Sequence, residues 1–181
     1  RWGDVYVRGL LATGGRKATA SMAALVSDGN VQAMQQFIGQ SPWPWDPLRK
    51  QLAQRLVTAL QPVAAWVVDD TGFPKRGSHS VGVARQSSGT MGKVGNCQVA
   101  VSLHYATDDA AVPLDFVLYL PEEWLEESRR QEAGIPKDVT FQPKWALALA
   151  LIDRALKWEV PKGVVTALNK DGSTRSYLQL V

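Results

Sequence analysis

The sequence has very little cysteine and histidine, and it has no long apolar run. Its single cysteine, Cys97, excludes an internal disulfide framework and fits a reducing cytosol. The two histidines, His79 and His104, have no Cys or acidic partner at metal-ligand spacing, which argues against a zinc site. No apolar run approaches the ~18–20 residues that span a bilayer. We therefore expect a cytoplasmic chain with no membrane partner.

The sequence also lacks internal repeats, low-complexity segments and a phosphate-binding loop. The glycine-rich stretch 87–95 has no Gly-Lys-Ser/Thr ending, so it does not predict nucleotide binding. The first residues have neither an initiator Met nor a signal-peptide pattern, which is typical of the middle of an open reading frame. What remains is a globular composition over 181 residues, enough for one domain with a small helical addition.

Charge is unevenly distributed along the chain, although the net charge is only +3. Residues 1–65 have seven Lys or Arg against three acids, and residues 106–140 have nine acids against three bases. A basic N-terminal part fits a polyanion partner. An ordinary solvated surface explains the same charge equally well.

Apolar spacing predicts helices in the N-terminal third. A turn at 28–30 with Asn30 as N-cap separates two short helices before residue 40. The prolines between Ser41 and Pro47 interrupt them. A further helix is predicted to begin with Asp46 as its cap and to end at Leu60. Residues 1–62 are therefore predicted to form a helical module, and residues 63–181 a second domain.

From Trp66 onward the apolar period changes to two, which indicates strands. A strong helix is predicted after Pro143, and the tail after residue 168 has no clear period. The predicted strands start at Trp66 and then cover 80–86, 96–105, 114–120 and 163–167. This order predicts an α+β fold, with a helical module followed by three antiparallel strands, an insertion, a helix and a strand at 163–167 that is parallel to the first and is the fourth strand of the predicted core.

One stretch, WVVDDTGFPK, leads a buried strand into two carboxylates, Asp69 and Asp70. The Thr-Gly-Phe-Pro that follows is expected to end the strand. An unpartnered carboxylate at the edge of a core is costly, so a metal ion or a catalytic role is one interpretation. The alternative is that Asp69 caps the turn at Thr71 and Gly72, as Asp often does, and that Asp70 is a turn residue.

Four segments in order resemble the DDE-superfamily endonuclease domain of IS701-type insertion-sequence transposases. They are an N-terminal region with RWGDVYVRGLL and DGNVQAMQQFIGQSPWPWDP, then VVDDTGFPKRGSHSVGVARQ, GTMGKVGNCQVAVSLHYA and LYLPEEW. The resemblance covers roughly residues 1–165. It implies an incomplete ribonuclease-H-like core and a bacterial, nucleoid-associated protein that cuts and joins DNA. The helical module would then contribute to binding transposon ends.

The chemistry that this resemblance implies is metal-assisted. In the family an acidic triad holds two Mg²⁺ (or Mn²⁺) ions at the scissile phosphate. The first acid of that triad corresponds to Asp69, with Asp70 as second choice, so both are candidate catalytic residues and Asp69 is the candidate metal ligand. The candidate contacts to the phosphates of double-stranded DNA are Lys75, Arg76, Arg85 and Lys93.

The chain departs from the family after the fourth predicted strand. Where the family has its second acid this chain reads GVVTALNKDG, with Leu168 at the matching position. Asp171 lies three residues further, a reach of ~10 Å, and the third acid has no counterpart. We therefore expect a truncated and inactive transposase, whose tail after Ala167 is frameshifted or truncated. The alternative is a non-catalytic remnant that at most binds DNA or another protein, so whether the chain is an enzyme stays open.

The missing end of the core also has a structural implication. Without a fifth strand, the fourth strand would be left as an open sheet edge, which is prone to self-association.

Overall fold

Helices fill the first part of the chain, as the apolar spacing predicts. The computed structural model describes residues 1–88, 92–168 and 174–179. The chain divides into two compact units, Arg1–Trp45 and Asp46–Val181. The helices of the first unit are α1 (Trp2–Leu11), α2 (Thr19–Leu25) and α3 (Val31–Gln40).

The first unit is a small three-helix structure with its own core. The Asn30 side chain accepts the N–H of Ala33 at 2.9 Å, which confirms the predicted N-cap of α3. Phe37 stacks on Trp43 at the end of the unit, with the ring centroids 5.7 Å apart. The buried core consists of Val5, Met22, Ala23 and Met34.

The second unit begins with α4 (Trp45–Ala59). The helix starts one residue before Asp46, so Asp46 lies in its first turn and accepts a hydrogen bond from Arg49 instead of acting as the predicted cap. Ala53 and Val57 of α4 are buried in the main core of this unit. The functional division of the chain at 62/63 stays a prediction, but α4 packs with the sheet that follows it.

A mixed sheet forms the centre of the second unit. Its strands are β1 (Ala65–Pro74), β2 (Ala84–Ser88), β3 (Lys93–Ala106), β4 (Ala111–Tyr119), β5 (Val164–Leu168) and β6 (Thr174–Gln179). Their order is β2-β3-β1-β5-β6, and β4 also pairs with β3. Only β1 and β5 run parallel among the described pairs, and the others are antiparallel. The α+β class is therefore confirmed, and the sheet is compatible with a ribonuclease-H-like core.

One face of the sheet is covered by α6 (Lys144–Lys157). Its apolar positions recur every four residues, so Leu147, Leu151 and Ala155 form one buried stripe. This stripe packs against a core around Trp66, which is fully buried. A 3₁₀ turn (Glu122–Leu125) and α5 (Glu127–Ala133) form a smaller satellite cluster with the segment before β2.

Three expectations about the strands are wrong. β1 does not end after Asp70, because it stays paired with β3 through Pro74, which lies opposite Cys97. The strand expected at 80–86 begins only at Ala84. The fourth predicted strand, β5, is not an open edge, because β6 from the tail pairs with it. Cys97, the single cysteine, is buried as a free thiol. In the described chain no helix is long and apolar enough to cross a membrane.

Candidate functional site

Asp69 and Asp70 lie on opposite faces of the sheet, because successive side chains of a strand point in opposite directions. Trp66 and Val68 pack into the core beneath α6, so Asp70 shares that face. Asp69 lies on the other face, together with Val67. The two carboxylates that adjoin in the sequence therefore do not form one site.

The carboxylate of Asp70 is engaged by a lysine. Its Oδ2 accepts a hydrogen bond from Nζ of Lys144, in the first turn of α6. The same Nζ lies 5.5 Å from the ring centroid of Tyr119 on β4. Both members of the ion pair are more than one third exposed, so it contributes less than about 1 kcal/mol to stability. Its effect is to fix the start of α6 against the centre of β1.

Asp69 belongs to a short chain of polar groups on the opposite face. Its Oδ1 accepts the backbone N–H of Asp70 at 2.8 Å. Its backbone carbonyl accepts a hydrogen bond from Oγ of Ser102, directly across on β3, at 3.2 Å. The same Oγ lies 3.0 Å from Nε2 of His104. Ser102 is buried, so the cluster has a fixed centre.

Burial lowers the pKa of His104, although the negative charge of Asp69 opposes this effect. The imidazole is therefore neutral near pH 7. The single proton of Ser102 is donated to the Asp69 carbonyl, so the Ser102 oxygen accepts from Nε2–H of His104 in the matching tautomer. Ser102 is not among the site residues predicted from the sequence. The sequence feature that could have indicated this cluster is the pair of polar residues, Ser102 and His104, that alternates with apolar residues in an otherwise buried strand.

The residues around Asp69 fit a divalent cation only in part. A carboxylate is the ligand type that Mg²⁺ or Mn²⁺ prefers. The parallel register of β1 and β5 ends with Val68 opposite Ala167, so the next positions are Asp69 and Leu168. Leucine has no atom that binds a metal. Asp171, the possible substitute, lies outside the described residues.

No group of three or more His, Cys, Asp or Glu side chains is placed to hold a metal within the described ranges. The described residues therefore supply one suitable ligand and not a complete metal site.

Cationic side chains follow Asp69 along the same sheet. Between Thr71 and Thr107 the sequence has no Asp or Glu. The Lys75 N–H donates to the Asn96 carbonyl at 2.9 Å, and Arg85 lies opposite Asn96 on its other side. Lys75 and Arg85 thus flank one position of β3. The Asn96 amide donates to the carbonyls of Lys75 and Gly77, at 2.8 and 2.9 Å, which fixes the turn after β1.

The other two predicted cations lie elsewhere, because Arg76 is in the turn after β1 and Lys93, three residues before Asn96 on β3, falls on the opposite face by strand alternation. Arg76 is exposed in the turn after β1, and Lys93 is exposed at the start of β3. None of the four predicted cations forms an ion pair with another described residue. The structure therefore brings Lys75 and Arg85 close to one another and leaves all four charges available to a ligand.

Two comparisons with known proteins show what the chain is similar to. A family model described as "DDE superfamily endonuclease" matches residues 1–169. The chain is also 33% identical over 113 residues to the "Probable transposase for insertion sequence element IS701" of Microchaete diplosiphon. That match covers 61% of this chain and spans 30% of the length of the relative. No solved structure matches. The resemblance to IS701-type DDE transposases that the sequence predicts is confirmed.

Proposed function

Because this chain belongs to the DDE superfamily endonucleases, we propose that it is part of the DNA-cutting core of an insertion-sequence transposase. Endonucleases of this superfamily generally use divalent metal ions. The proposed substrate is double-stranded DNA at transposon ends, so the protein would work in the bacterial cytoplasm, on the nucleoid. The observation that carries the proposal is the position of Asp69, at the carboxyl end of the parallel pair β1 and β5 and on the same face as Lys75 and Arg85.

Asp69 is the proposed ligand of Mg²⁺ or Mn²⁺, and Asp70 is not. Support comes from the ion pair between Asp70 and Lys144 on the opposite face. The carboxylate of Asp69 accepts only a backbone N–H among the described contacts and lies beside polar groups. The remaining ligands would have to come from carboxylates outside the described residues.

The proposed DNA contacts are Lys75, Arg76, Arg85 and Lys93. Phosphates need cations but no particular base sequence, so these contacts would position the duplex without reading it. The absence of acids between Thr71 and Thr107 supports this assignment, because a nearby carboxylate would repel the DNA backbone.

A second candidate function is a transposase remnant that binds DNA without cutting it. The observation that favours it is Leu168, which occupies the position next to Asp69 on β5. With leucine there, Asp69 has no carboxylate partner on the adjacent parallel strand. Under this proposal the cations still bind DNA phosphates, and Asp69 takes no part in cutting DNA.

A nicking assay on supercoiled plasmid with Mg²⁺ or Mn²⁺ separates the two candidates. Asp69→Asn tests the proposed ligand, and Asp70→Asn is its matched control, because it removes a neighbouring carboxylate from the other face. Loss of nicking only in Asp69→Asn supports an active core. Duplex binding without nicking supports the remnant. Nicking that survives Asp69→Asn contradicts the assignment of Asp69, and a chain that binds no DNA at low salt contradicts both candidates.

The DNA contacts are tested by the salt dependence of duplex binding. Each phosphate contact adds about 0.9 to the slope of log affinity against log salt concentration. Arg85→Gln should therefore weaken binding and reduce that slope by about 1. The matched control is Lys157→Gln, at the exposed end of α6 on the opposite side of the sheet. An equal loss in both variants would show that only net charge matters.

A further inference from the structure

A large aromatic side chain is exposed beside the cations Lys75 and Arg85. Phe73 lies near the end of β1 and pairs with Gln98 of β3. Its relative exposure is 47%, and at this position β1 pairs with β3 alone among the described strands, because the pairing with β5 ends at Val68. By strand alternation it shares the face of Asp69 and Thr71. A half-exposed phenyl ring near the end of a strand is available to a ligand.

The surroundings of Phe73 define the chemistry of that ligand. Lys75 follows two residues later on the same face, and Arg85 lies across β3 at the next position of the ladder. The sequence from Thr71 to Thr107 has no acid. An aromatic ring beside two cations, in a segment without Asp or Glu, is complementary to a nucleotide, because the ring can stack on the base while the cations meet the phosphates.

The distance to Asp69 places this ring close to the proposed cutting site. Phe73 is four residues beyond Asp69 on a continuous strand, which corresponds to about 13 Å at about 3.3 Å per residue. This distance equals about four base steps of duplex DNA, at about 3.4 Å per step. A second exposed aromatic residue, Phe116, lies on the same face opposite Ser102, but the cations adjoin Phe73.

We propose that Phe73 stacks on an unpaired base of the DNA, a few nucleotides from the phosphate nearest Asp69. The base must be unpaired or at a free end, because inside a duplex both of its faces are covered by neighbouring bases. The protein therefore binds a junction of paired and single-stranded DNA more tightly than a fully paired duplex. This inference rests on the proposed DNA substrate, and it adds the state of that DNA at the site.

A second copy of the chain is the competing occupant, since an exposed ring also suits a protein interface. The charges disfavour it. Two copies that met at this face would bring Lys75 and Arg85 against their own equivalents with no acid between Thr71 and Thr107 to pair with them.

The experiment compares two DNA probes by fluorescence anisotropy with the full 181-residue chain. One probe is a fully paired duplex, and the other is the same duplex with a short single-stranded thymidine tail. Phe73→Ala should weaken binding of the tailed probe about 5- to 100-fold, the range for loss of one stacked base. Binding of the paired probe should change less than about twofold, since phosphate contacts carry it.

Further variants separate stacking from other effects. Phe73→Trp should keep the preference for the tailed probe, because it keeps an aromatic face. Phe73→Leu keeps apolar volume and fold but should lose the preference. Trp145→Ala is the matched control, since Trp145 is an exposed aromatic residue on α6, away from this face. A 2-aminopurine base in the tail should change its fluorescence on binding to the wild-type chain and not to Phe73→Ala.

Each result has a defined meaning. A preference for the tailed probe that is unchanged in Phe73→Ala and Phe73→Leu overturns this inference and leaves the proposed function standing. Failure of the wild-type chain to bind either probe overturns the proposed function as well. A Phe73→Ala chain that sediments as a smaller species and binds both probes like the wild type shows that the ring meets a second copy, which also overturns the inference.

Discussion

At the scale of single residues, the most buried charge of the described chain is the carboxylate of Asp115 on β4. It is 3% exposed, and its two oxygens accept hydrogen bonds from Arg49 of α4 at 3.0 Å and from Arg154 of α6 at 2.8 Å. One carboxylate therefore joins two helices to one strand. A buried charge is tolerated only with such partners.

Removing that carboxylate should destabilise the fold strongly. Asp115→Asn leaves two guanidinium groups, partly screened by solvent, without their anion, and we expect a loss of about 3 kcal/mol in the free energy of unfolding. Asp46→Asn is the matched control, because Asp46 also pairs with Arg49 but is 80% exposed, so its loss should destabilise the fold far less. Urea unfolding measures both values. Equal losses in the free energy of unfolding for the two variants would contradict the expectation that the buried carboxylate matters more than the exposed one.

The lowered pKa of His104 should appear in the pH dependence of stability. Burial holds the folded pKa below the ordinary value of 6.5, so between these two pKa values the unfolded chain binds a proton that the folded chain does not. Stability should thus fall as pH drops below about 6.5 and level off below the folded pKa. His104→Gln should lack this component. Urea unfolding of the wild type and of His104→Gln from pH 5 to 8 tests this expectation. Parallel curves of stability against pH for these two proteins would contradict it.

Some of these individual residues could be predicted from residue types alone. Asp69 was found because two valines precede it, and Asn30 because it precedes an apolar helical pattern. The partners of Asp115 lie 66 and 39 residues away in the sequence, so no local pattern indicates them. The bulge of β4 between the partners of Leu103 and His104 also shifts the alternation, which leaves Phe116 exposed and buries Asp115.

At the scale of elements, α6 is the helix that covers the face of the sheet opposite Asp69, and its first turn pairs with Asp70. Its buried stripe supplies the packing energy. Leu151→Ala should cost about 2–5 kcal/mol, since Leu151 is fully buried. Leu149→Ala is the matched control, with the same chemistry on the same helix at 53% exposure, and should cost less than about 1 kcal/mol. Thermal unfolding measures the difference, and similar losses would show that α6 is not packed as described.

The sequence predicted this helix well and the length of β1 poorly, for a physical reason. The stripe of α6 is a local pattern with the helical period. Gly72 and Pro74 are local strand breakers, but the partner strand β3 extends past both of them. Pairing with a long neighbour therefore overrides local preference, and Pro74 is tolerated because it is the last residue of the strand.

At the scale of the whole molecule, the two compact units differ greatly in size. A unit of 45 residues has little stability to lose, because small domains bury a small fraction of their surface. Met34→Ala removes a fully buried side chain of the first core, at a cost of about 2–5 kcal/mol. We expect the amides of α1 to α3 to lose protection in hydrogen exchange, while those of the sheet keep it.

The same measurement tests where α4 belongs. Its amides should follow the sheet, because Ala53 and Val57 are part of the sheet core. Leu25→Ala, at an exposed position of the first unit, serves as the control and should leave exchange nearly unchanged. Loss of protection across the sheet in Met34→Ala would mean that the two units unfold as one. The α+β class was predictable from the change of period at Trp66, whereas the packing partner of α4 was not, because an apolar stripe does not identify what covers it.

The alternation of side chains along β1 also determines which insertions and deletions of codons keep Asp69 and Asp70 on their faces. A strand has a side-chain period of two, so inserting or deleting one codon between Trp66 and Asp69 exchanges the faces of the two acids. Asp70 would then lie beside Ser102 and the cations, and Asp69 would lie beneath the amino end of α6. Length changes of two codons preserve the parity. A single-codon change would therefore move the proposed metal ligand to the other side of the sheet, whereas a change of two codons would keep it on its face.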